Sequence, residues 1–410
     1  MAIMGELFTY HRLPNGLMIV HRRCEGPVEY CGLTVNAGSR DETPDRHGLA
    51  HFVEHTIFKG TDRRRSWHII NRMEAVGGEL NAFTTKEETT LYSVFPTGNL
   101  ARAMELQADL VTRSRFPRPE IDREREVVAD EINSYLDSPS EAIFDDYDDL
   151  IYAGSELGHN ILGTTTSIEA FNPEICHDFL SQHYVPSNMV FFHMGETAPD
   201  RVFRTAERHL AQLDHPSPGR RRIAPPLLPV FDITRPIDSH QAHTVIGARI
   251  PGIYSDRRYA VALLSNILGG PGMNSLLNIA LRERRGMVYA VDASTALYTD
   301  CGTFTIYFGC DPEDTSRCRR IVNGQLRRLA DAQLSRRALD AAKKQYIGQL
   351  TVASDNREQL ALSTARATLY HGRALAPGEV AERINAVSPQ ELQEAASLIA
   401  PERCSILTLR

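Results

Sequence analysis

No apolar run in this chain approaches the roughly 20 residues that span a bilayer, so no membrane span is expected. The opening stretch MAIMGELFTYHRLPNG lacks a charged segment followed by an apolar one, the pattern of a secretory signal, and a cytoplasmic location is the expectation. No C-x-x-C pair occurs among the seven cysteines, Cys24, Cys31, Cys176, Cys301, Cys310, Cys318 and Cys404. Their odd number and wide scatter supply neither a disulfide framework nor a cysteine zinc site, and buried, reduced thiols are expected. Long basic clusters are also missing. With a net charge of −7 and only the short runs Arg63-Arg64-Arg65 and Arg220-Arg221-Arg222, expected to be solvated loops, nucleic acid is excluded as a partner.

What is present is the composition of an ordinary globular protein, 42% hydrophobic and 24% charged over 410 residues, enough for two or three domains with their own cores. His215–His240 (HPSPGRRRIAPPLLPVFDITRPIDSH) carries six prolines and little periodicity. It is expected to be an extended linker between an N-terminal domain over 1–214 and a C-terminal domain over 241–410. In the first half, patterning predicts strands over Leu17–Arg22, Tyr30–Asn36, Leu80–Thr84 and Thr89–Phe95, and helices over Leu100–Arg113 and about Pro119–Leu136. In the second half it predicts strands over Gln241–Arg249, Val288–Leu297 and Thr303–Gly309. Helices are expected over Arg258–Leu268, Ser275–Arg284, Asp314–Ala332 and Arg336–Leu350. The order of elements is alike in both halves, which hints at a duplicated α+β unit.

The run HGLAHFVEHTIFKGT contains His51-Phe-Val-Glu54-His55. Two histidines four apart on a helix share a face, with Cβ atoms about 5–6 Å apart. That spacing lets both imidazoles reach one Zn²⁺ at about 2.0–2.1 Å. Glu54 projects toward the same pocket and can hold a zinc-bound water and take its proton. The order H-x-x-E-H inverts the commoner H-E-x-x-H motif and is the inverzincin signature.

A catalytic zinc needs a third protein ligand. The best segment to supply it is the helical run IDREREVVADEINSY, Ile121–Tyr135, whose Ile121, Val128, Ile132 and Tyr135 should face a core. Glu124 and Glu131 are seven apart, so they lie within about 20° of each other around the helix but about 10 Å apart along it. One metal is not expected to take both. One is a ligand and the other orients ligands or tunes the local potential, and spacing alone does not choose between them.

HGLAHFVEHTIFKGT, followed by GGELNAFTTKEETTLYSVFP and DREREVVADEI, resembles the M16 (pitrilysin-like) metallopeptidases, most nearly the mitochondrial processing peptidases and their bacterial relatives. The resemblance implies a LuxS/MPP-like fold of two similar α+β domains, each a mostly antiparallel sheet covered by helices. It implies one Zn²⁺ per chain held by His51, His55 and Glu131, with Glu54 as general base and Glu124 in support. LRERRGMVYAV (281–291) is similar to the family's R-E-x-x-G-x-x-Y segment, which places Arg282 and Tyr289 as donors to a developing oxyanion. The strand Asn81-Ala82-Phe83-Thr84 is implied to take an extended peptide as an added β-strand. Glu196 and Glu88 depart from residues common in the family (Asp and His), and neither touches the proposed metal set.

The expected function is therefore that of a zinc metalloendopeptidase acting on extended or unfolded peptides. A homodimer is the simplest assembly, with a heterodimer of related subunits as the alternative. The competing reading is a catalytically silent partner subunit. The acidic stretch Glu141–Asp149 is expected to be a solvated loop.

Overall fold

Alternation along one strand sets the two faces of the first sheet. In β3 (Val28–Val35), Cys31, Leu33 and Val35 enter the main core, whereas Tyr30 faces the opposite side. The computed structural model describes residues 7–213 and 222–410. Within them β1 (Thr9–Arg12), β2 (Met18–Arg23), β3, β4 (Glu79–Thr84), β5 (Thr89–Pro96) and β6 (Met189–Gly195) form a sheet in the order β1-β2-β6-β3-β5-β4. Only the β2–β6 pair is parallel. The main-core face is covered by α1 (Leu49–Thr56), α2 (Ser66–Glu74), α3 (Leu100–Arg113) and α4 (Arg118–Leu136). On the other face Ala361 and Ala365, from the helix Arg357–His371, pack among Val20, Tyr92, Val190, Phe192 and Met194.

The second sheet repeats five of these strands. β7 (Asp232–Arg235), β8 (Ala242–Ile250), β9 (Val288–Leu297), β10 (Gly302–Cys310) and β11 (Ser405–Leu409) run in the order β7-β11-β8-β10-β9. The β7–β11 pair is parallel and the rest antiparallel, the same senses in the same positions as β2-β6-β3-β5-β4. The hint of duplication is thus a real repeat of topology.

Contacts divide the chain into two compact units that are not contiguous in sequence, unlike the expected 1–214 and 241–410. The first comprises 1–134, 159–222 and 354–376, and the second 135–158, 223–353 and 377–410. Each unit takes one helix from the opposite half of the chain. The helix Arg357–His371 joins the first, and α5 (Pro139–Ile151) joins the second.

α5 overturns one expectation. The acidic stretch Glu141–Asp149 is not a loop: Ile143, Tyr147 and Ile151 recur at helical spacing and are buried against Val245, Leu407 and Leu409. Its acids occupy the remaining faces, and the apolar stripe decides the structure. The proline-rich segment is likewise not wholly linker, because 232–235 forms β7, while 214–221 lie outside the described residues.

The arginine runs are not simply solvated either. Arg222 binds Asp41 (2.7 Å) and Asn36 (2.8 Å), and Arg64 binds Asp109 (2.6 Å) and Glu105 (2.8 Å). All seven cysteines are free, six of them buried and Cys24 half-buried.

Candidate metal and catalytic site

α1 folds because its apolar residues fill one side. Leu49, Ala50, Phe52 and Val53 are buried in the main core, and full burial contributes about 1.5–3 kcal/mol for a side chain of the size of Phe52 or Val53. Apart from Thr56, whose hydroxyl donates to the Phe52 carbonyl, the positions left over are His51, Glu54 and His55. Facing them is α4, whose buried stripe runs Ile121, Glu124, Val128 and Ile132. A glutamate thus occupies one position of an otherwise apolar stripe.

The two glutamates separate by position. Glu131 brings Oε2 to 3.8 Å from His51 Nε2 and 3.5 Å from His55 Nε2. These three atoms lie within 4.8 Å of one another. Ligand atoms about 2.0–2.1 Å from a tetrahedral zinc stand about 3.3 Å apart, so the set fits Zn²⁺ after a small contraction. Glu124 instead reaches the far side of the ring, with Oε1 at 3.0 Å from His55 Nδ1, and its other oxygen pairs with Lys59 Nζ at 2.7 Å. A carboxylate on Nδ1 leaves Nε2 to act as the ligand. The 10 Å axial offset anticipated from the sequence is what lets one helix address both nitrogens of His55.

Burial and neighbouring charges shift the titration of these residues. Burial, then the neighbouring His55, drives His51 down to about 3, leaving it neutral and able to coordinate. His55 is pulled down by burial, but Glu124, Glu131 and Glu54 prevail and raise it. Glu54 is raised by burial, partly opposed by a hydrogen bond from the Thr84 side chain and by His55. Its Oε2 is buried without a hydrogen-bond partner.

Asn81, Ala82, Phe83 and Thr84 lie on β4, the outermost strand of the sheet, and their side chains are half-buried. Phe83 packs edge-on against Tyr92. Among the described residues no strand pairs with the outer edge of β4.

Arg282 and Tyr289 belong to the second unit, and both are exposed there. Arg282 sits in the short π-helical turn Asn278–Glu283, and the Tyr289 hydroxyl donates to Asp311 (2.8 Å).

Lys59 had no role in the sequence reading. Its signal was available, since it follows His55 at the helical spacing of four. Glu42, which binds the start of α1, carries no such local signal.

Residues 18–165 match the sequence family "Insulinase (Peptidase family M16)" and residues 170–346 match "Peptidase M16 inactive domain". An uncharacterized zinc protease of Streptomyces coelicolor, SCO5738, is 30% identical over 407 residues, covering 96% of this chain and 87% of that protein. The uncharacterized zinc protease YmxG of Bacillus subtilis is 28% identical over 358 residues, 87% of each chain. In fold, the chain superposes on a protease from Helicobacter pylori with a TM-score of 0.91 at 19% identity, covering 98% of this chain and 99% of that one. A Pseudomonas fluorescens structure titled as a peptidase M16 inactive domain gives 0.90 at 16% identity, covering 98% and 97%. By sequence and by fold, the chain belongs to peptidase family M16.

Proposed function

We propose that this chain is a zinc-dependent endopeptidase, with one Zn²⁺ per chain held by His51, His55 and Glu131. The observation that carries this reading is the convergence of those three donors beside Glu54, which in turn lies against Thr84 at the end of an outer strand. When bound, zinc would acidify a water molecule and polarise the scissile carbonyl. Glu54 takes a proton from the attacking water and returns it to the leaving amine, and its burial-raised carboxyl suits both steps. Glu124 and Lys59 hold the His55 ring in the coordinating tautomer.

The edge of β4 at Asn81–Thr84 offers backbone groups to an extended peptide, which favours unfolded over folded substrates. By family resemblance Arg282 and Tyr289 donate to the substrate carbonyl oxygen. A homodimer is the assembly we propose, tested by sedimentation.

The deciding experiment combines metal analysis with cleavage of a mixed peptide library, with and without chelator. Wild type should carry one zinc and cleave, Glu54→Gln should keep zinc and not cleave, and Glu131→Gln should lose zinc. Unchanged cleavage by Glu54→Gln would sink the mechanism. A silent-subunit role is favoured only by the match of residues 170–346 to an inactive domain. Zinc-loaded wild type that cleaves nothing would establish it.

A further inference from the structure

The start of α1 is held in an unusual way. Its N-cap is Gly48, in the left-handed region at φ 96°, with no side chain to cap the first amides. The acceptor comes from six residues upstream. Glu42 Oε1 accepts the Ala50 amide (2.7 Å) and Oε2 accepts the Gly48 amide (2.8 Å). Oε2 also lies 2.9 Å from His159 Nε2, and the Glu42 side chain is fully buried.

The other side of this junction is equally tight. A Cβ on Gly48 would stand 2.6 Å from the Leu162 carbonyl, and one on Gly163 would stand 2.3 Å from the His47 carbonyl. Lys86, in the turn after β4, donates to the His159 carbonyl. One carboxylate therefore joins the entry of α1 to the 159–163 loop, and that loop is bonded to the turn following the outer strand.

We propose that Glu42 is a positioning residue for the zinc helix, fixing through the Gly48 and Ala50 amides and His159 the residue at which α1 begins. The inference rests on the zinc-peptidase reading above. Its physical basis is helix geometry: starting one residue early or late turns every side chain by about 100° and moves it about 1.5 Å along the axis. His51 is the third residue of α1, so its direction depends directly on that start. No other side chain bonds the Gly48 or Ala50 amide among the described residues.

Glu42→Gln, Glu42→Ala and His159→Gln should be compared with wild type in the full chain. Four quantities are read: zinc affinity by competition with a chelating dye, kcat and KM separately, amide exchange at residues 48–52, and Tm. Glu42→Ala should weaken zinc binding about tenfold, as loss of a ligand-orienting contact does. It should also lower kcat with KM within twofold of wild type, and speed exchange at Gly48 and Ala50. Glu42→Gln, which keeps one acceptor oxygen, should recover part of each effect.

If the variants lose Tm but keep zinc affinity and kcat per folded molecule, Glu42 is merely structural and the proposal is overturned. Unchanged exchange at Gly48 and Ala50 overturns it too. If Glu42→Ala does not fold, Glu42→Gln and His159→Gln carry the same test. Wild type that binds no zinc would count against the peptidase reading, while the exchange measurement still decides whether Glu42 sets the start of α1.

Discussion

The two units share a strand order but differ in what they do with the helix that follows the first central strand. In the first unit that helix is α1, where His51, Glu54 and His55 turn away from the apolar contact toward Glu131. In the second it is Arg258–Gly269, following β8, where Ala260, Val261, Leu263, Leu264 and Leu268 are buried in the core. The polar residues of that helix serve internal bonds: Ser265 donates to the Ala293 carbonyl (2.8 Å) and Asn266 to Gln349 (2.7 Å). By itself the second unit brings no metal-ligand group together among the described residues. The repeat therefore transmits a scaffold, and the candidate metal-ligand side chains stand on one copy of it. The exchange of one helix between the halves is equally symmetric, since each helix covers a face of the sheet built from the opposite half.

The sharpest test of this asymmetry is Glu54→Gln, expected to lower kcat by about 10⁴-fold, the upper range for a lost general base, with zinc content unchanged. Residual cleavage near the wild-type rate would mean that the first unit is not the chemical one.

The next largest effect concerns stability. The first sheet buries a chain in which His21 Nδ1 meets His193 Nδ1 (2.9 Å) and Glu29 lies 3.7 Å from His193 Nε2. Burial, then the nearby His193, holds His21 down to about 3 in the folded state against 6.5 when unfolded. Between those values the unfolded chain binds the extra proton. The contribution of His21 is therefore fully present above pH 6.5 and is lost as pH falls toward 3.

The Glu29 carboxyl is raised by burial, but the nearby His193 ring and hydrogen bonds from Thr197 outweigh that and bring it to about 2, so further stability is lost between about pH 4.5 and 2. The first unit should lose about 4 kcal/mol between pH 6.5 and 3 from His21. Amide exchange in β2 and β6 as a function of pH measures this. His21→Leu should flatten the slope there and leave β8 and β10 unchanged.

Arg282→Gln and Tyr289→Phe test whether the second unit contributes to chemistry despite having no metal set. Each should lower kcat by about 10²-fold if it donates to the oxyanion, with zinc affinity within error of wild type. Wild-type kinetics in both would reduce the second unit to scaffold. The smallest change is expected from Glu124→Gln, which should weaken zinc about tenfold in dye competition by releasing His55 Nδ1 and Lys59. No change would remove Glu124 from the ligand-supporting role.

Much of this arrangement was legible in one dimension. Helical spacing brings His51 and His55 onto one face, and the seven-residue interval places Glu124 and Glu131 on one side of α4, because both patterns repeat within a turn or two of backbone geometry. Strand alternation located β4 and β5 within a residue of their observed limits. α5 escaped notice because acidic residues outnumber its three buried apolar ones, and the stripe makes sense only against the sheet it covers. Glu42 escaped because its partners, Gly48, Ala50 and His159, follow no periodicity.

The sequence by itself determined the local chemistry: which residue types stand at ligand spacing, and which segments can be helix or strand. Only the tertiary structure decided that Glu131 faces the imidazole Nε2 atoms while Glu124 binds Nδ1, and that each half lends a helix to the other's sheet. The physical reason is that backbone periodicity is set by neighbouring residues, whereas the direction of a carboxylate and the covering of a sheet face depend on burial against residues far along the chain.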